Sequence, residues 1–491
     1  MKFYQLNIIL ITLIFLTGCR SNISISEADS GYIPPVTISI SFWEPGTNKE
    51  MEIALNKIVE EYNKVQPNVT IELLSQSVIG YQDWIRAKFA ANEAPDIEEN
   101  HTNYLATQFR SKQLIDIEND FLSPNYYNDD IIWKDMFVEG RLESAHMYTC
   151  SPSYAVPYTG LGIAYYYNKN IYDKLSLTEP KTWDEFMENC EIIASDGCQP
   201  ISMMLLKRDA VTWLYWYIFT GLYNNRYLAD ERFNPNMDNV IAENELARAI
   251  KLGYFDITSG EDRENYEHVL SMLKQYSSYA YNSQELDEGA AKALFLSGKA
   301  AHIMSGNWDL KSFTDNKVFK TGTFALPRFT KENSDYAGEN FSMTASQVFG
   351  ITNSVENSTE KREAAVDFLK FFTSPEYYKI FINGTYSIPV IKGVDIPLSF
   401  SSFGDGFCEP LQIFAKGAGS AVYDYASNAN EIFTGKPFDI EDALYKLHAT
   451  NLLFSEDVMK IQDVDEKNDF GVADILRQGD FTPTEPYGGL E

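Results

Sequence analysis

The first clear pattern in the chain is an alternation of apolar and polar residues from Val36 to Phe42, VTISISF. Such alternation is typical of a strand with one buried face. An amphipathic helical stripe follows and stops at Pro67, and residues Val69 to Leu73 alternate again. A capping box from Thr47 to Glu50 predicts the start of the helix. Together these elements predict a βαβ unit with parallel strands, and ligands bind beyond the carboxyl ends of such strands.

The same two periodicities continue along the chain. Thr182 and Glu185 form a second capping box, which predicts a helix through about Ala194. The further predicted elements are a helix from Asp287 to Leu296 stopped at Gly298, a strand from Ala300 to Met304, a helix capped by Asn357 and Glu360, and a helix from Ser374-Pro375 closed by Gly384. Because helices alternate with short strands over most of the length, the sequence predicts an α/β architecture.

The N-terminal residues carry a different pattern. The apolar run from Leu6 to Leu16 is about half of the ~20 residues that span a bilayer, so it is typical of a signal-peptide core. The residues Leu16-Thr17-Gly18-Cys19 resemble the lipobox of bacterial lipoproteins. The resemblance implies cleavage before Cys19 and a lipid anchor on that cysteine, with two acyl chains holding the protein on the outer face of the cytoplasmic membrane. The alternative is an ordinary secretory signal with an unrelated cysteine.

Size, composition and charge limit the possible domain organisation and the possible partners. With 491 residues, 44% of them hydrophobic, the chain is too long for one ordinary domain, so we expect two lobes. Aromatic residues make up 14%, which suggests that some rings face a ligand. The formal net charge is −30, and removal of Met1 to Gly18, with one lysine and no acid, makes it −31. A phosphate backbone is repelled by such a surface, so nucleic acid is excluded as a partner.

The cysteine and histidine residues give little indication of disulfides or metal sites. Apart from Cys19 the cysteines are Cys150, Cys190, Cys198 and Cys408. An exported compartment permits disulfides, and Cys190 with Cys198 is a candidate pair, although spacing does not determine connectivity. No group of Cys and His has the spacing of a zinc site, so the sequence predicts neither a metal nor a cofactor.

Several short motifs occur in a fixed order over about residues 36 to 452. They are ISFWEPG with IVEEYNKVQPNVTIEL, YQDWIRAKFAANEAPDI, VPYTGLGIAYYYNKNIYDKL with EPKTWDEF, LFLSGKAAHIMSGNWDL, GTFALP, REAAVDFLKFFTSPE and YSIPV. Each motif is weak by itself, but the ordered series resembles the bacterial extracellular solute-binding proteins of sugar-type ABC importers, the relatives of maltose-binding protein.

This resemblance implies the type II periplasmic-binding-protein fold, in which two α/β lobes are joined by a hinge and hold the ligand between them. The implied hinge crossings lie near Tyr154 to Gly160, Met343 to Gly350 and Pro389 to Pro397. The implied divisions are a signal peptide at 1–18, a lipidated tether at 19–35, one lobe at 36–157 with 349–390, and a second lobe at 158–348 with 391–491. The resemblance also implies a monomeric receptor without catalytic activity that delivers its sugar to the membrane permease of an ABC importer.

Sugars present apolar C–H faces and hydroxyl edges, so their sites combine aromatic rings with carboxylate, amide or guanidinium groups. Position and resemblance select as ligand-binding residues Trp43 and Glu44 on the first lobe, Asn100 and Asn103 on its loop after Pro95-Asp96, and Tyr158 at the hinge. On the second lobe they select Trp308, Tyr423, and Arg208, Asp209 and Trp213, which lie where the family has a ligand-contacting turn. Among these, Trp308 resembles the family's stacking tryptophan.

Each of these residue types also has a packing interpretation. Core or intrahelical packing is predicted for Trp84, Trp133, Trp183, Trp216 and Tyr217. Trp43 and Trp308 follow predicted strands beside polar residues, which favours a site on loops. Glu44 has a second interpretation as a first-turn charge that the helix dipole favours. Asp96 is predicted to brace its loop rather than to contact ligand.

Two other function classes fit a secreted, acidic and aromatic-rich chain. A glycoside hydrolase needs two carboxylates about 5 to 10 Å apart around the scissile bond, and sequence does not measure that separation. A structural or adhesion lipoprotein needs no small ligand at all. The chain contains no Ser/His/Asp arrangement, HExxH motif, Walker A loop or dinucleotide fingerprint, and only five histidines. These observations favour the receptor.

Overall fold

The computed structural model describes residues 34–44, 49–77, 80–101, 105, 108, 111–138, 141–142, 155–203, 208–235, 241, 243–281, 288–338, 346–385, 387–395, 402–403, 439–462 and 464–471. Helices and strands alternate along them, as predicted for an α/β protein. None of the helices in these ranges is both long enough and apolar enough to cross a lipid bilayer.

The strands and helices have the following bounds. The strands are Val36–Glu44 (β1), Val69–Ser77 (β2), Ile97–His101 (β3), Pro124–Asn125 (β4), Ile131–Ile132 (β5), Val156–Gly160 (β6), Ile163–Asn168 (β7), Gln199–Ser202 (β8), Ala300–Gly306 (β9), Thr321–Phe324 (β10) and Ser346–Ile351 (β11). The helices are Glu50–Val65 (α1), Tyr81–Ala90 (α2), Glu118–Phe121 (α3), Lys169–Leu175 (α4), Trp183–Ser195 (α5), Arg208–Leu228 (α6), Glu243–Lys251 (α7), Gly260–Ser277 (α8), Glu288–Leu296 (α9), Leu310–Thr314 (α10), Thr359–Phe372 (α11), Pro375–Thr385 (α12) and Ile440–Gln462 (α13).

The first sheet has the strand order β2-β1-β3-β11-β6. Strands β1, β2 and β3 are parallel, while β11 is antiparallel to both β3 and β6. The predicted βαβ unit is therefore confirmed. Alternate residues of β1, namely Ile38, Ile40 and Phe42, are fully buried in one core with α1, α11 and α12. This burial explains the alternating pattern in the sequence.

The second sheet has the order β10-β7-β9-β8, in which only β8 and β9 are parallel. It carries a separate core that is rich in aromatic rings. Trp183 is fully buried there, and Trp133 is fully buried in the first core, as predicted for both. Trp84 is half-buried on α2. The two sheets thus organise two hydrophobic cores.

The chain passes from the first sheet to the second at a short, tightly packed segment. Strand β6 of the first sheet leads through Leu161 and Gly162 directly into β7 of the second. The amide of Gly160 donates to the carbonyl of Ile388 at 2.8 Å, and Gly160 also lies opposite Ser346 of β11. A Cβ atom on Gly162 would lie 2.9 Å from the Cβ atom of Phe403, so the close approach favours glycine. The described parts of two predicted crossings therefore meet at Gly160, beside Ile388, while the division into lobes stays a prediction.

Most predicted helix ends agree with the structure. Thr182 and Glu185 form the predicted capping box, and the chain turns at Gly298 with φ of 75° after α9. The start of α11 differs, because Ser358 and not Asn357 is the N-cap, with its hydroxyl accepting from the Lys361 amide at 3.2 Å. Asn357 belongs to the preceding turn.

Two smaller predictions are corrected. Gly384 does not close α12, which continues to Thr385. Cys190 and Cys198 are free thiols, so the suggested disulfide is absent. Cys190 is fully buried inside α5, and burial raises the pKa of its thiol, whereas Cys198 is half-buried beyond the helix. Cys150 and Cys408 lie outside the described residues.

Candidate functional site

The sequence suggested that Trp43 lies in a turn after the first strand. In the structure it is the penultimate residue of β1. Its pairing with Gln76, and that of Glu44 with Ser77, continue the parallel ladder to the end of β2. The ring is 4% exposed and packs edge-on against Tyr81 with 5.0 Å between the ring centroids. Tyr81 in turn shares a 2.8 Å hydrogen bond with the hydroxyl of Ser41. Trp43 therefore belongs to a small aromatic cluster between β1 and α2.

Glu44 caps helix α1. Its two carboxylate oxygens accept hydrogen bonds from the backbone amides of Met51 at 3.2 Å and Glu52 at 3.1 Å. Lys49 occupies the N-cap position and makes no side-chain cap bond, so the capping box predicted from Thr47 to Glu50 is wrong. Burial raises the pKa of Glu44, although the two amides oppose the effect. The first-turn interpretation of Glu44 thus accounts for both of its oxygens.

Asn100 lies within β3 and is 1% exposed, whereas the sequence placed it on a loop. Its amide nitrogen donates to Glu98 at 3.3 Å and also to Gln108. Glu98 is fully buried, and its Oε2 atom has no hydrogen-bond partner among the described residues. Burial raises the pKa of Glu98 to about 8, against the stabilising bonds from the two amides.

Glu99 connects three strands of the first sheet. The backbone amide of Trp43 donates to its Oε2 atom at 2.8 Å, and the hydroxyl of Tyr158 contacts its Oε1 atom. Tyr158 is fully buried in β6 and stacks on Phe349 of β11, with 4.3 Å between the ring centroids. Burial raises the pKa of Glu99 to about 8. The hydroxyl of Tyr158 contacts residues of the first sheet and of helix α1, and its role in ligand contact stays a prediction.

Trp308 and Trp213 form an aromatic pair on the second lobe. Trp308 lies in the short 3-10 turn Asn307–Asp309 that follows β9, and Trp213 lies in α6. Their ring centroids are 5.6 Å apart at an interplanar angle of 60°. Both rings are only partly buried. Arg208 and Asp209 begin the same helix, with Asp209 one turn before Trp213, so the predicted turn at this position is the first turn of a helix.

The turn that carries Trp308 is held from several sides. The side chain of Asn307 accepts from the amide of Gly162 at 3.0 Å, which ties the turn to the first crossing. Asp309 accepts from the hydroxyl of Ser305 at 2.6 Å and from the ammonium group of Lys292 at 2.8 Å. A Cβ atom on Gly306 would lie 2.1 Å from the ring of Trp308. The Trp308 ring therefore packs directly over Gly306, where a larger residue would displace it.

The structure thus brings the predicted residues together in two groups. The first group lies at the carboxyl ends of β1 and β3, and the second at the end of β9 and the start of α6. Asp96 braces the first lobe, as predicted, by accepting from Lys361 at 2.9 Å and from the amide of Ser39 at 2.9 Å. The predicted residues Cys19, Asn103 and Tyr423 lie outside the described residues.

Sequence reasoning did not select Tyr81, Glu98, Glu99 or Asn307. The signal for the two acids was present, because Glu98 and Glu99 come one residue after Ala94-Pro95-Asp96, where the strand that begins at Ile97 is buried. Two adjacent carboxylates at that position are unusual for a core strand. The signal for Asn307 was its place between Gly306 and Trp308.

Comparisons with known proteins agree with this architecture. The sequence profile of the family described as bacterial extracellular solute-binding protein matches residues 48–379. A multiple sugar-binding protein of Streptococcus mutans is 21% identical over 401 residues, which cover 80% of this chain and 84% of the relative. A maltotriose-binding protein of Pyrococcus abyssi is 20% identical over 362 residues, which cover 72% of this chain and 67% of the relative.

A solved structure shows the same fold. The structure of a chitin oligosaccharide binding protein matches this one with a TM-score of 0.64 at 17% sequence identity. The match covers 86% of this chain and 99% of the other. The predicted two-lobed α/β fold is thereby confirmed. Since the family profile also matches more than half of its length, this chain belongs to the bacterial extracellular solute-binding protein family.

Proposed function

We propose that this protein is an extracytoplasmic receptor that binds a carbohydrate between its two lobes and delivers it to an ABC importer. The observation that carries the proposal is the partly exposed pair of Trp213, on α6, and Trp308, on a turn that is fixed to the crossing segment. Aromatic faces held in place are suited to the apolar C–H faces of a sugar ring. The predicted neighbours Arg208, Asp209 and Tyr423 would supply polar and aromatic contacts on this lobe.

The energetics require contacts from both lobes. One aromatic contact adds about 0.5 to 1.5 kcal/mol beyond area burial, whereas a micromolar dissociation constant corresponds to about −8 kcal/mol. One tryptophan pair is therefore insufficient. The first lobe would add Asn100 near the end of β3, the predicted residue Asn103, and the edge of the cluster around Trp43. Glu44 is a weaker candidate, since both its oxygens cap α1.

An oligosaccharide is the favoured class of ligand. The names of two similar proteins specify maltotriose and chitin oligosaccharide, which contain more than one sugar unit. A ligand that contacts both lobes favours the closed state by its differential affinity for closed over open. The closed form would then be recognised by the permease, and the receptor would act as a monomer.

The receptor is proposed to have no catalytic activity. Glu98 and Glu99 are adjacent acids, but consecutive residues of a strand point to opposite faces of the sheet, and both side chains are fully buried. A glycoside hydrolase needs two carboxyl groups that reach the same glycosidic bond. The position of this pair therefore favours binding over hydrolysis.

The mature protein is proposed to begin at Cys19, with a lipid anchor on that residue and a tether to residue 35. The proposed lobes are residues 36–157 with 349–390, and 158–348 with 391–491. Incorporation of labelled palmitate into the wild-type protein but not into Cys19→Ser would support the anchor. Equal labelling of both proteins, or none of either, would count against it.

The function is tested by titrating the purified protein with maltotriose, triacetylchitotriose and raffinose. We expect at least one of them to raise the melting temperature and to give a saturable signal in calorimetry. Chromatography of the same mixtures should recover the oligosaccharide intact. Cleaved product would favour the hydrolase, and a melting temperature that no carbohydrate in a broad panel changes would favour the structural lipoprotein.

A further inference from the structure

A hydrogen-bonded chain of side chains crosses the first sheet at the strands that lead to the second lobe. Glu99 of β3, Tyr158 of β6 and Gln347 of β11 are its members. The hydroxyl of Tyr158 contacts Oε1 of Glu99 and lies 3.2 Å from Oε1 of Gln347. We call β6 and β11 the hinge strands, because β6 continues into the second sheet and β11 returns from it.

With Oε1 of Gln347 facing the Tyr158 hydroxyl, the protons available to this chain do not match an ionised Glu99. Tyr158 has one O–H proton and lies between two oxygens that accept hydrogen bonds. If Glu99 is ionised, the hydroxyl can donate to Glu99 or to Gln347 but not to both. If Glu99 carries a proton, it donates to Tyr158, and Tyr158 then donates to Gln347. Only the protonated carboxyl completes the chain as the three side chains are placed.

The surroundings of Glu99 favour the protonated form as well. The side chain is fully buried, and the titratable groups that face it are Glu44 of β1, Tyr81 of α2 and Tyr158 of β6. Met51 of α1, which contacts the Tyr158 hydroxyl at 3.9 Å, does not titrate. None of these groups is a cation, and the negative charge of Glu44 disfavours a second one. Burial accordingly raises the pKa of Glu99 to about 8.

We propose that Glu99 is a positioning residue that holds a proton and, through Tyr158, fastens Gln347, so that the end of β1 and both hinge strands form one unit. The link to β1 is the bond from the Trp43 amide to Oε2 of Glu99 at 2.8 Å. Loss of the proton turns the Tyr158 hydroxyl toward Glu99 and releases Gln347. The geometry of the hinge strands therefore depends on one proton.

For ligand binding this inference rests on the proposed function, because it requires closure of two lobes on a guest. Suppose that the pKa of Glu99 is about half a unit higher in the closed state than in the open state. The affinity for the oligosaccharide is then about threefold lower at pH values well above both pKa values than at pH values well below them. The Glu99→Gln variant is the matched probe, since its amide can accept from Trp43 and donate to Tyr158 at every pH.

The proton itself is tested by infrared spectroscopy on the ligand-free full-length protein. At about pH 6 the wild type minus Glu99→Gln difference spectrum is expected to contain the carbonyl stretch of a protonated carboxyl group, which disappears as the pH passes about 8. In Gln347→Ala the same band should disappear at lower pH, because Tyr158 is then free to donate to an ionised Glu99. Absence of the band, or an unchanged titration in Gln347→Ala, overturns the proposal.

The positioning role is tested by calorimetry with maltotriose and triacetylchitotriose between about pH 6 and pH 10. Wild-type affinity is expected to decline about threefold across this range, while Glu99→Gln keeps one affinity throughout. Asp367→Asn is the control, because Asp367 is another buried carboxyl of the first lobe whose partners are Tyr62 and Tyr127, away from the hinge strands. It should follow the wild type.

The outcomes separate the two proposals. A Glu99→Gln profile that declines in parallel with the wild type overturns the positioning role. If no oligosaccharide binds either protein, the proposed function fails, and the infrared titrations alone decide whether Glu99 holds the proton and whether Gln347 depends on it.

Discussion

Gly162 and Asn307 exchange two hydrogen bonds at the point where the chain passes from the first sheet to the second. The amide of Gly162 donates to Oδ1 of Asn307 at 3.0 Å, and the amide of Asn307 donates to the carbonyl of Gly162 at 3.0 Å. Because Asn307 directly precedes Trp308, the turn that carries the tryptophan is fixed to the crossing segment. A rotation of this segment would therefore move the Trp308 ring.

Replacing Asn307 by alanine should lower the stability of the protein and weaken ligand binding. The buried amide of Gly162 would lose its partner, and an unsatisfied buried donor costs about 1 to 3 kcal/mol. Differential scanning calorimetry should give a lower melting temperature for Asn307→Ala than for the wild type. Equal melting temperatures for the two proteins would show that the bond contributes little.

Replacing Trp308 by alanine should weaken oligosaccharide binding tenfold or more and leave the fold intact. A partly buried aromatic ring at the centre of a binding site is the type of residue whose truncation costs most. Titration calorimetry measures the affinity, and far-UV circular dichroism checks the fold. Tyr445→Ala, which removes a ring that is 72% exposed on α13, is the control and should bind normally. Unchanged affinity in Trp308→Ala would remove this residue from the site.

Replacing Gly306 by alanine should act through the same ring. The new methyl group would lie 2.1 Å from Trp308, so the ring has to move. We expect Gly306→Ala to reproduce much of the loss of affinity seen in Trp308→Ala. In the double variant the two losses should not add, because the ring that the methyl group displaces is already absent. Additive losses would place the effect of Gly306 elsewhere.

The sequence predicted the fold well where one periodicity decides the structure. The alternation in β1 and the capping box at Thr182 are local, and both appear in the structure. The end of β1 was misplaced because strand length depends on the partner, and β2 continues to Ser77. A short segment with an aromatic and an acid reads as a turn unless the length of the neighbouring strand is known.

The candidate site was predicted only in part, for a related reason. Trp213 and Trp308 were selected by resemblance, and the structure places them in contact. Glu99 was missed because its role depends on Tyr158 and Gln347, and Tyr158 lies 59 positions away in the chain. Buried polar networks are formed by tertiary contacts that residue spacing does not encode. From hydrophobic periodicity alone, such acids are predicted to be surface residues.

Replacing Glu44 by alanine should destabilise the protein through the start of α1. The amides of Met51 and Glu52 lose their acceptor, and loss of such a cap costs about 1 kcal/mol. Urea unfolding followed by circular dichroism measures the change. Glu52→Ala is the control, since Glu52 lies in the same first turn and pairs with exposed Lys49, and its loss should cost less. If Glu44→Ala weakens ligand binding tenfold at unchanged stability, the side chain contacts the ligand instead of acting as a cap.

Asp367 should make the protein less stable as the pH rises from about 4 toward 7. Its Oδ2 atom accepts from the hydroxyls of Tyr62 at 2.7 Å and Tyr127 at 2.9 Å, and its Oδ1 atom has no partner among the described residues. Burial raises its pKa from 3.8 to about 7. Between these values the native state keeps a proton that the unfolded state has lost, so stability falls as the pH rises and levels off above about 7.

Asp367→Asn removes this titration, because an amide stays neutral. Glu98 and Glu99 contribute the same trend, but they are present in both proteins and cancel in the comparison. The variant should therefore gain stability relative to the wild type across the window, by an amount on the order of a few kcal/mol. Urea midpoints measured at intervals between about pH 4 and pH 8 give the difference. Parallel curves for the two proteins would mean that Asp367 is ionised in the native state.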